Sequence, residues 1–169
     1  MAFNVNEFRS NLTGGGARPS LFEVQITNPI APFADYKGKF LIKAASLPTW
    51  QVGQYEVPYM GRKLKYGGDR TYEDWTVTVI NDEDFDLRNA FEQWNSAINS
   101  PVENSRLYPN QYKSNAQVTQ LGKDKTPLRT YTFDGIFPTN LSAIDLNWET
   151  TDAIEEFTVT FAYDWFEPA

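Results

Sequence analysis

The chain has 169 residues, 41% of them apolar, which suits one domain with a hydrophobic core and is too apolar for a disordered segment. It contains no cysteine and no histidine, so disulfides, thiolate zinc sites, thiol nucleophiles and Ser-His-Asp triads are excluded, and an enzyme would have to work with carboxylates, Lys, Ser or Tyr. A formal net charge of -7 excludes nucleic-acid binding by phosphate neutralisation, which needs Lys and Arg.

Residues 1–17 read as a flexible N-terminal arm, and residues 18–169 as a single β domain. Thr13 to Ala17 (TGGGA) is a link whose glycines reach backbone angles closed to other residues. The arm has polar residues throughout and no long apolar segment, and is expected to be neither a signal peptide nor an anchor. No apolar run in the chain approaches the roughly 20 residues that cross a bilayer.

Phe22, Val24 and Ile26 alternate with polar residues, the pattern of a half-buried strand. Lys37 to Ala45 (KGKFLIKAA) reads as a second strand with Phe40 and Ile42 in phase. Ser46 to Gly61 is interrupted by Pro48, Gly53 and Pro58 and is expected to be an extended arm or edge strand. Gly67-Gly68 reads as a hairpin turn, and Arg70 is expected to pair with Glu73 or Asp74. From Asp74 to Ile80, Trp75, Val77 and Val79 face one way and Asp74, Thr76 and Thr78 the other.

The period then changes. Leu87, Phe91, Trp94 and Ile98 form one apolar stripe of a helix over residues 84–99, stopped by Pro101. Ser100 to Asn115 is a polar loop carrying Tyr108 and Tyr112. AQVTQL and LRTYTFDGIF read as paired strands, and Ile144, Leu146 and Trp148 alternate as a further one. Phe157, Val159, Phe161, Tyr163 and Trp165 form the longest alternation. Many short strands with one helix predict a mainly β fold: an antiparallel β-sandwich or open barrel with one packed α-helix.

Asp82, Asp84 and Asp86 match the first three ligand positions of a calcium loop, but Leu87 stands where glycine is required and Gln93 where a bidentate Glu is required. They are expected instead to begin the helix, with Asp82 or Asp84 as its cap. Neither metal nor cofactor is expected. Trp75, Trp94, Trp148 and Trp165 are expected in the core, which leaves Trp50, Tyr108 and Tyr112 as the exposed aromatic set. Charge is segregated: six bases and one acid lie between Tyr36 and Tyr66, and eight acids with no base lie between Thr130 and Ala169. Such segregation reads either as two solvated faces or as complementary surfaces by which the chain binds copies of itself head to tail.

ARPSLFEVQI, VPYMGRKLKYGGDRTYEDWTVTVINDE, FPTN and EEFTVTFAYDW together resemble the tail tube protein of contractile-tailed, myovirus-type bacteriophages, over about Ala17 to Trp165. The resemblance implies a structural protein of the virion rather than an enzyme. It implies hexameric rings that stack into a hollow tube, with strands joining across subunits into a β-barrel around the channel for genome delivery. The implied partners are further copies of the chain, the tail sheath, baseplate and tail-terminator proteins, and a tape measure protein inside. The resemblance also implies that DNA passes through without specific binding and that assembly takes place in the host cytoplasm. On this expectation Thr76, Thr78, Thr158, Thr160 and Asp164 are candidates for the lumen. Gln54, Glu56, Arg62, Lys63 and Lys65, with residues 2–16, are candidates for ring-to-ring contact. Arg88, Glu92 and Asn95 are candidates for a sheath-facing helix surface. A monomeric carbohydrate-binding β-sandwich, a baseplate tube initiator and a secretion-system tube protein of the same fold remain as alternatives.

Overall fold

The structure is a computed structural model and describes residues 4–169. Nine strands are present among the described residues: β1 (Phe22–Ile26), β2 (Ile42–Ala45), β3 (Trp50–Tyr59), β4 (Arg62–Tyr72), β5 (Trp75–Ile80), β6 (Ser114–Leu121), β7 (Pro127–Leu141), β8 (Glu156–Ala162) and β9 (Trp165–Pro168). The helices are α1 (Val5–Asn11), α2 (Asp35–Leu41), α3 (Asp86–Ile98) and the single turn α4 (Pro109–Tyr112). The fold is mainly β and antiparallel, as the alternating segments predict.

The main sheet runs β1-β6-β7-β8-β5-β2, with β9 also paired to β7. Strand β7 makes this possible by serving two sheets. Its first half pairs with β6 and β9, and Phe137 to Leu141 pair with β8. The change of partner follows Gly135, whose φ of +67° lets the strand turn the corner. The two layers meet at Trp75 and Phe133, whose rings stack with centroids 4.4 Å apart. Val77, Val79, Phe157, Val159 and Phe161 continue this core. Helix α3 closes it with Leu87, Phe91 and Trp94, which are buried as the stripe predicts, and with Ala90, which the stripe did not include; Ile98, the stripe's last member, is half-buried. Phe91 meets Phe157 and Phe161 edge-on, and Trp94 Nε1 donates to the Tyr112 carbonyl at 2.8 Å. Buried Asn28 pins the preceding loop: it donates to the Ala90 carbonyl and accepts from the amides of Ile30 and Ala31.

Several expectations are corrected. Lys37 to Leu41 is helical, and β2 begins only at Ile42. Tyr36 and Phe40 sit one turn apart in α2 with centroids 5.2 Å apart, so the same residues satisfy a helical period. Gly38 faces Leu87 across the α2–α3 contact. Gly67-Gly68 is not a turn; both lie inside β4. The reversal is at Met60-Gly61, whose φ values of 46° and 78° suit a tight hairpin. Gly68 is needed instead for close approach, since a Cβ there would sit 3.2 Å from the Gly53 carbonyl oxygen beside an irregularity in pairing. Ile144 to Trp148 forms no strand, and Trp148 is 100% exposed. Trp165 is also exposed. Helix α3 has no acidic cap: the cap position is Phe85, in the left-handed region at φ 56°. The loop at 100–115 contains α4 and the start of β6.

The arm is described from Asn4. It forms α1, capped by Asn4 Oδ1 accepting from the Asn6 amide at 3.0 Å, and then a 3-10 turn at Thr13–Gly15. Val5, Phe8 and Leu12 are exposed along it. Residues 2 and 3 of the arm lie outside the described residues.

Candidate functional site

The sequence offers no catalytic constellation, so the surfaces that could meet other chains are the ones to build. The first is the outer face of β5 and β8. Burying Trp75, Val77, Val79, Phe157, Val159 and Phe161 on one side forces the intervening residues to the other, because successive side chains in a strand alternate. The register places Thr76 opposite Thr160 and Thr78 opposite Thr158. The Thr76 and Thr160 hydroxyl oxygens are 3.1 Å apart. Strand β2 adds Ala44 beside Thr78, and β7 adds Asn140 beside Thr160. Helix α3 covers the opposite face, so these four candidate threonines form one small, polar surface that the helix does not touch. Asp164 does not extend it. Strand β8 ends at Ala162, and Asp164 lies in the bend before β9, where Lys113 Nζ holds its carboxylate at 2.7 Å.

The second surface is the β3–β4 hairpin, a two-stranded sheet of its own. Every residue from Trp50 to Thr71 is exposed, including Trp50, Val52, Tyr55, Val57, Tyr59, Met60, Leu64 and Tyr66. An isolated two-stranded ribbon is marginal in water, and an exposed apolar surface of this size marks an interface. Internal contacts give it partial order. Tyr55 stacks on Tyr66 at 5.6 Å, and the Arg70 guanidinium lies 4.7 Å from the centre of the Trp50 ring rather than pairing with Glu73 or Asp74. The candidates Gln54, Glu56, Arg62, Lys63 and Lys65 all lie on this hairpin. Glu56 forms an ion pair with Lys63 at 3.0 Å and lies 3.9 Å from Lys65. Tyr108 is exposed, but Tyr112 is half-buried with its ring edge-on to Phe137, so Trp50, Tyr108 and Tyr112 do not form one exposed set.

On α3, Glu92 and Asn95 are exposed, whereas Arg88 is turned back onto the fold. Its guanidinium donates to the Ser142 carbonyl and to Glu92 and lies over the Phe157 ring. The acidic cluster has a purpose that spacing alone did not show. Lys37, on α2, donates to Asp82 Oδ2 at 2.9 Å, to Asp84 Oδ2 at 3.1 Å and to Asp86 Oδ2. The three carboxylates lie close enough for a metal, but an ammonium group already occupies their centre. They hold Lys37 protonated well above the ordinary lysine range, with Asp86 contributing most. The cluster is an ionic latch between α2 and the start of α3. Nothing in the local sequence signals it, because the partner is 45 or more positions away.

Residues 17–167 match the family model described as phage tail tube protein.

The chain belongs to the phage tail tube protein family.

It is 38% identical over 157 residues to the tail tube protein gp19 of Enterobacteria phage T4, spanning 92% of this chain and 93% of that one. It is 31% identical over 165 residues to the tail tube protein of Serratia phage KSP90, spanning 94% of this chain and 93% of that one. Among solved structures, the fold is similar to a chain of the anti-feeding prophage baseplate, with TM-score 0.69, 15% identity and coverage of 91% and 95%. It is also similar to a chain of the sheath–tube complex of an extracellular contractile injection system, with TM-score 0.56, 15% identity and 99% of both chains covered. As a tail tube protein the chain has a structural role in a phage tail and is not an enzyme. The monomeric carbohydrate-binding alternative is disfavoured.

Proposed function

We propose that the chain forms hexameric rings that stack into the hollow inner tube of a contractile tail, with the Thr76, Thr78, Thr158 and Thr160 face lining the channel. The observation that carries this reading is the asymmetry of the β7-β8-β5-β2 layer. One face is apolar and covered by α3, the other is polar and uncovered, and the sheet ends on an unpaired edge at β2. An open edge must be covered, blunted or paired. Pairing it head to tail with the next copy closes a ring, in which the threonine faces turn inward together. The one base beside this lining, Lys43, is paired with Glu156 at 2.5 Å, so the hydroxyls offer DNA no free phosphate-neutralising contact and the genome passes without being held. Asp164, held by Lys113 in the bend before β9, lies outside this face.

The hairpin candidates Gln54, Glu56, Arg62, Lys63 and Lys65, with the arm over residues 2–16, make the contact between rings. The Glu92 and Asn95 side of α3 faces outward to the sheath, with Arg88 fixing the helix rather than reaching for a partner. Baseplate and terminator proteins meet the two ends of the tube, a tape measure protein occupies the channel before DNA does, and assembly takes place in the host cytoplasm. Negative-stain electron microscopy of the purified protein across a concentration series, with light scattering on the same samples, tests the reading. Rings or hollow tubes are expected; a monomer at every concentration, even with baseplate components added, contradicts it.

A further inference from the structure

The segment 142–155 between β7 and β8 is an unpartnered surface of a second kind. It carries Asp145, Glu149, Asp152 and Glu155 and no base, a net charge of -4. It also exposes Leu146 at 81%, Trp148 at 100% and Ile154 at 70%. Glu155 is engaged by Asn81, but Asp145, Glu149 and Asp152 make no ion pair among the described residues. A fully exposed Trp beside two exposed aliphatic side chains is costly to leave in water and is the composition of an interface anchor.

The β3–β4 hairpin is its chemical complement. Between Trp50 and Tyr72 stand four bases against two acids, a net charge of +2, among exposed Tyr, Leu and Val side chains. The two surfaces cannot meet within one chain. In the β5–β8 pair Trp75 lies opposite Phe161 and Ile80 opposite Glu156. The hairpin joins β5 at its Trp75 end, and segment 142–155 joins β8 at its Glu156 end. They therefore leave the sheet at opposite ends.

We propose that segment 142–155 of one subunit docks on the β3–β4 hairpin of a second copy in the adjacent ring, with Trp148 as the apolar anchor and Asp145, Glu149 and Asp152 facing Arg62, Lys63 and Lys65. This inference rests on the tube reading above and adds the partner for the hairpin. The contact is heterologous, so it propagates along the axis rather than closing on itself. Opposite charges at its rim set the register and the rate of encounter more than the affinity, and the buried aromatic supplies most of the affinity.

The absence of cysteine makes the test direct. Full-length Trp148→Cys protein is mixed with Leu64→Cys protein, and separately with Tyr55→Cys protein, under mild oxidation. All three positions are exposed, so folding is not at risk. Crossed dimers in at least one mixture, several-fold above those from any single variant, are expected. A charge-swap arm runs beside it: Glu149→Lys with Asp152→Lys stops ring stacking, and Lys63→Glu with Lys65→Glu in the same chain restores it. Stacked tubes in the wild type without crossed dimers, or loop reversal that leaves tube length unchanged, overturn the docking while the tube reading stands. A wild type that forms neither rings nor tubes overturns both.

Discussion

Thr76 and Thr160 face each other across β5 and β8 with their hydroxyl oxygens 3.1 Å apart, on the side of the sheet away from α3. The pair joins the centre of the uncovered polar face. Each hydroxyl satisfies the other, so neither is needed by the core.

Replacing Thr160 with lysine is expected to leave the isolated subunit folded, with a loss of about 1 kcal/mol from the broken hydroxyl pair with Thr76. If this face lines the channel, the assembled tube then carries a basic ring that attracts phosphates. Complementation of a tube-deficient phage with the Thr160→Lys variant should give particles with intact tails and reduced infectivity. Normal infectivity from normal tails would remove the face from the channel.

Trp94 is fully buried, donates to the Tyr112 carbonyl and sits 6.2 Å from Phe161. Trp94→Ala should cost about 3–5 kcal/mol, the range for truncating a buried aromatic. Urea unfolding followed by circular dichroism should show a lower midpoint with little change in slope.

Gly135 has φ +67°, and a Cβ there would lie 2.2 Å from an Asp164 carboxylate oxygen. Gly135→Ala therefore strains the backbone and also drives Asp164 away from Lys113. A loss of about 1–3 kcal/mol is expected from the backbone term, read as a drop in Tm. Adding Asp164→Ala to the same chain should recover part of that loss, because it removes the clash; no recovery would place the whole cost in the backbone.

Lys37→Met removes the cation from between Asp82, Asp84 and Asp86. The variant should melt at lower temperature than the wild type, and millimolar calcium should raise its Tm while leaving the wild type unchanged. The pH dependence has a definite sign. Folding raises the Lys37 pKa, so its contribution is full below the ordinary lysine value of about 10.4 and is lost only as pH rises through the folded value above it. Wild type and variant should therefore differ by a constant amount from pH 7 to pH 10 in differential scanning calorimetry. A gap that narrows across that range would contradict the latch.

Strands buried on one face were legible in the sequence because period-2 alternation survives wherever a core exists: β1, β5 and the Leu87–Trp94 stripe appear where expected, and β8 does so as far as Ala162, after which the expected alternation breaks into β9 with Trp165 exposed. The failures share a different cause. Ile144, Leu146 and Trp148 alternate but have no core to face, and apolar residues held for another chain look the same as apolar residues held for the interior. β3 is an edge strand, as its prolines and glycine suggested, but Gly67-Gly68 disguised the length of β4, because the strands of a projecting ribbon have no covered side to impose a pattern. The carboxylates at 82–86 were legible as a cluster, but their counter-ion, Lys37, comes from a helix that alternation had assigned to a strand.

The central claim is that identical subunits close into rings with the threonine face inward. Cryo-electron microscopy of the assembled protein tests it most directly. The account predicts sixfold rings in which the β2 edge pairs with a neighbouring subunit and Thr76, Thr78, Thr158 and Thr160 line the channel. Rings in which α3 faces the channel and the threonines face outward would contradict it.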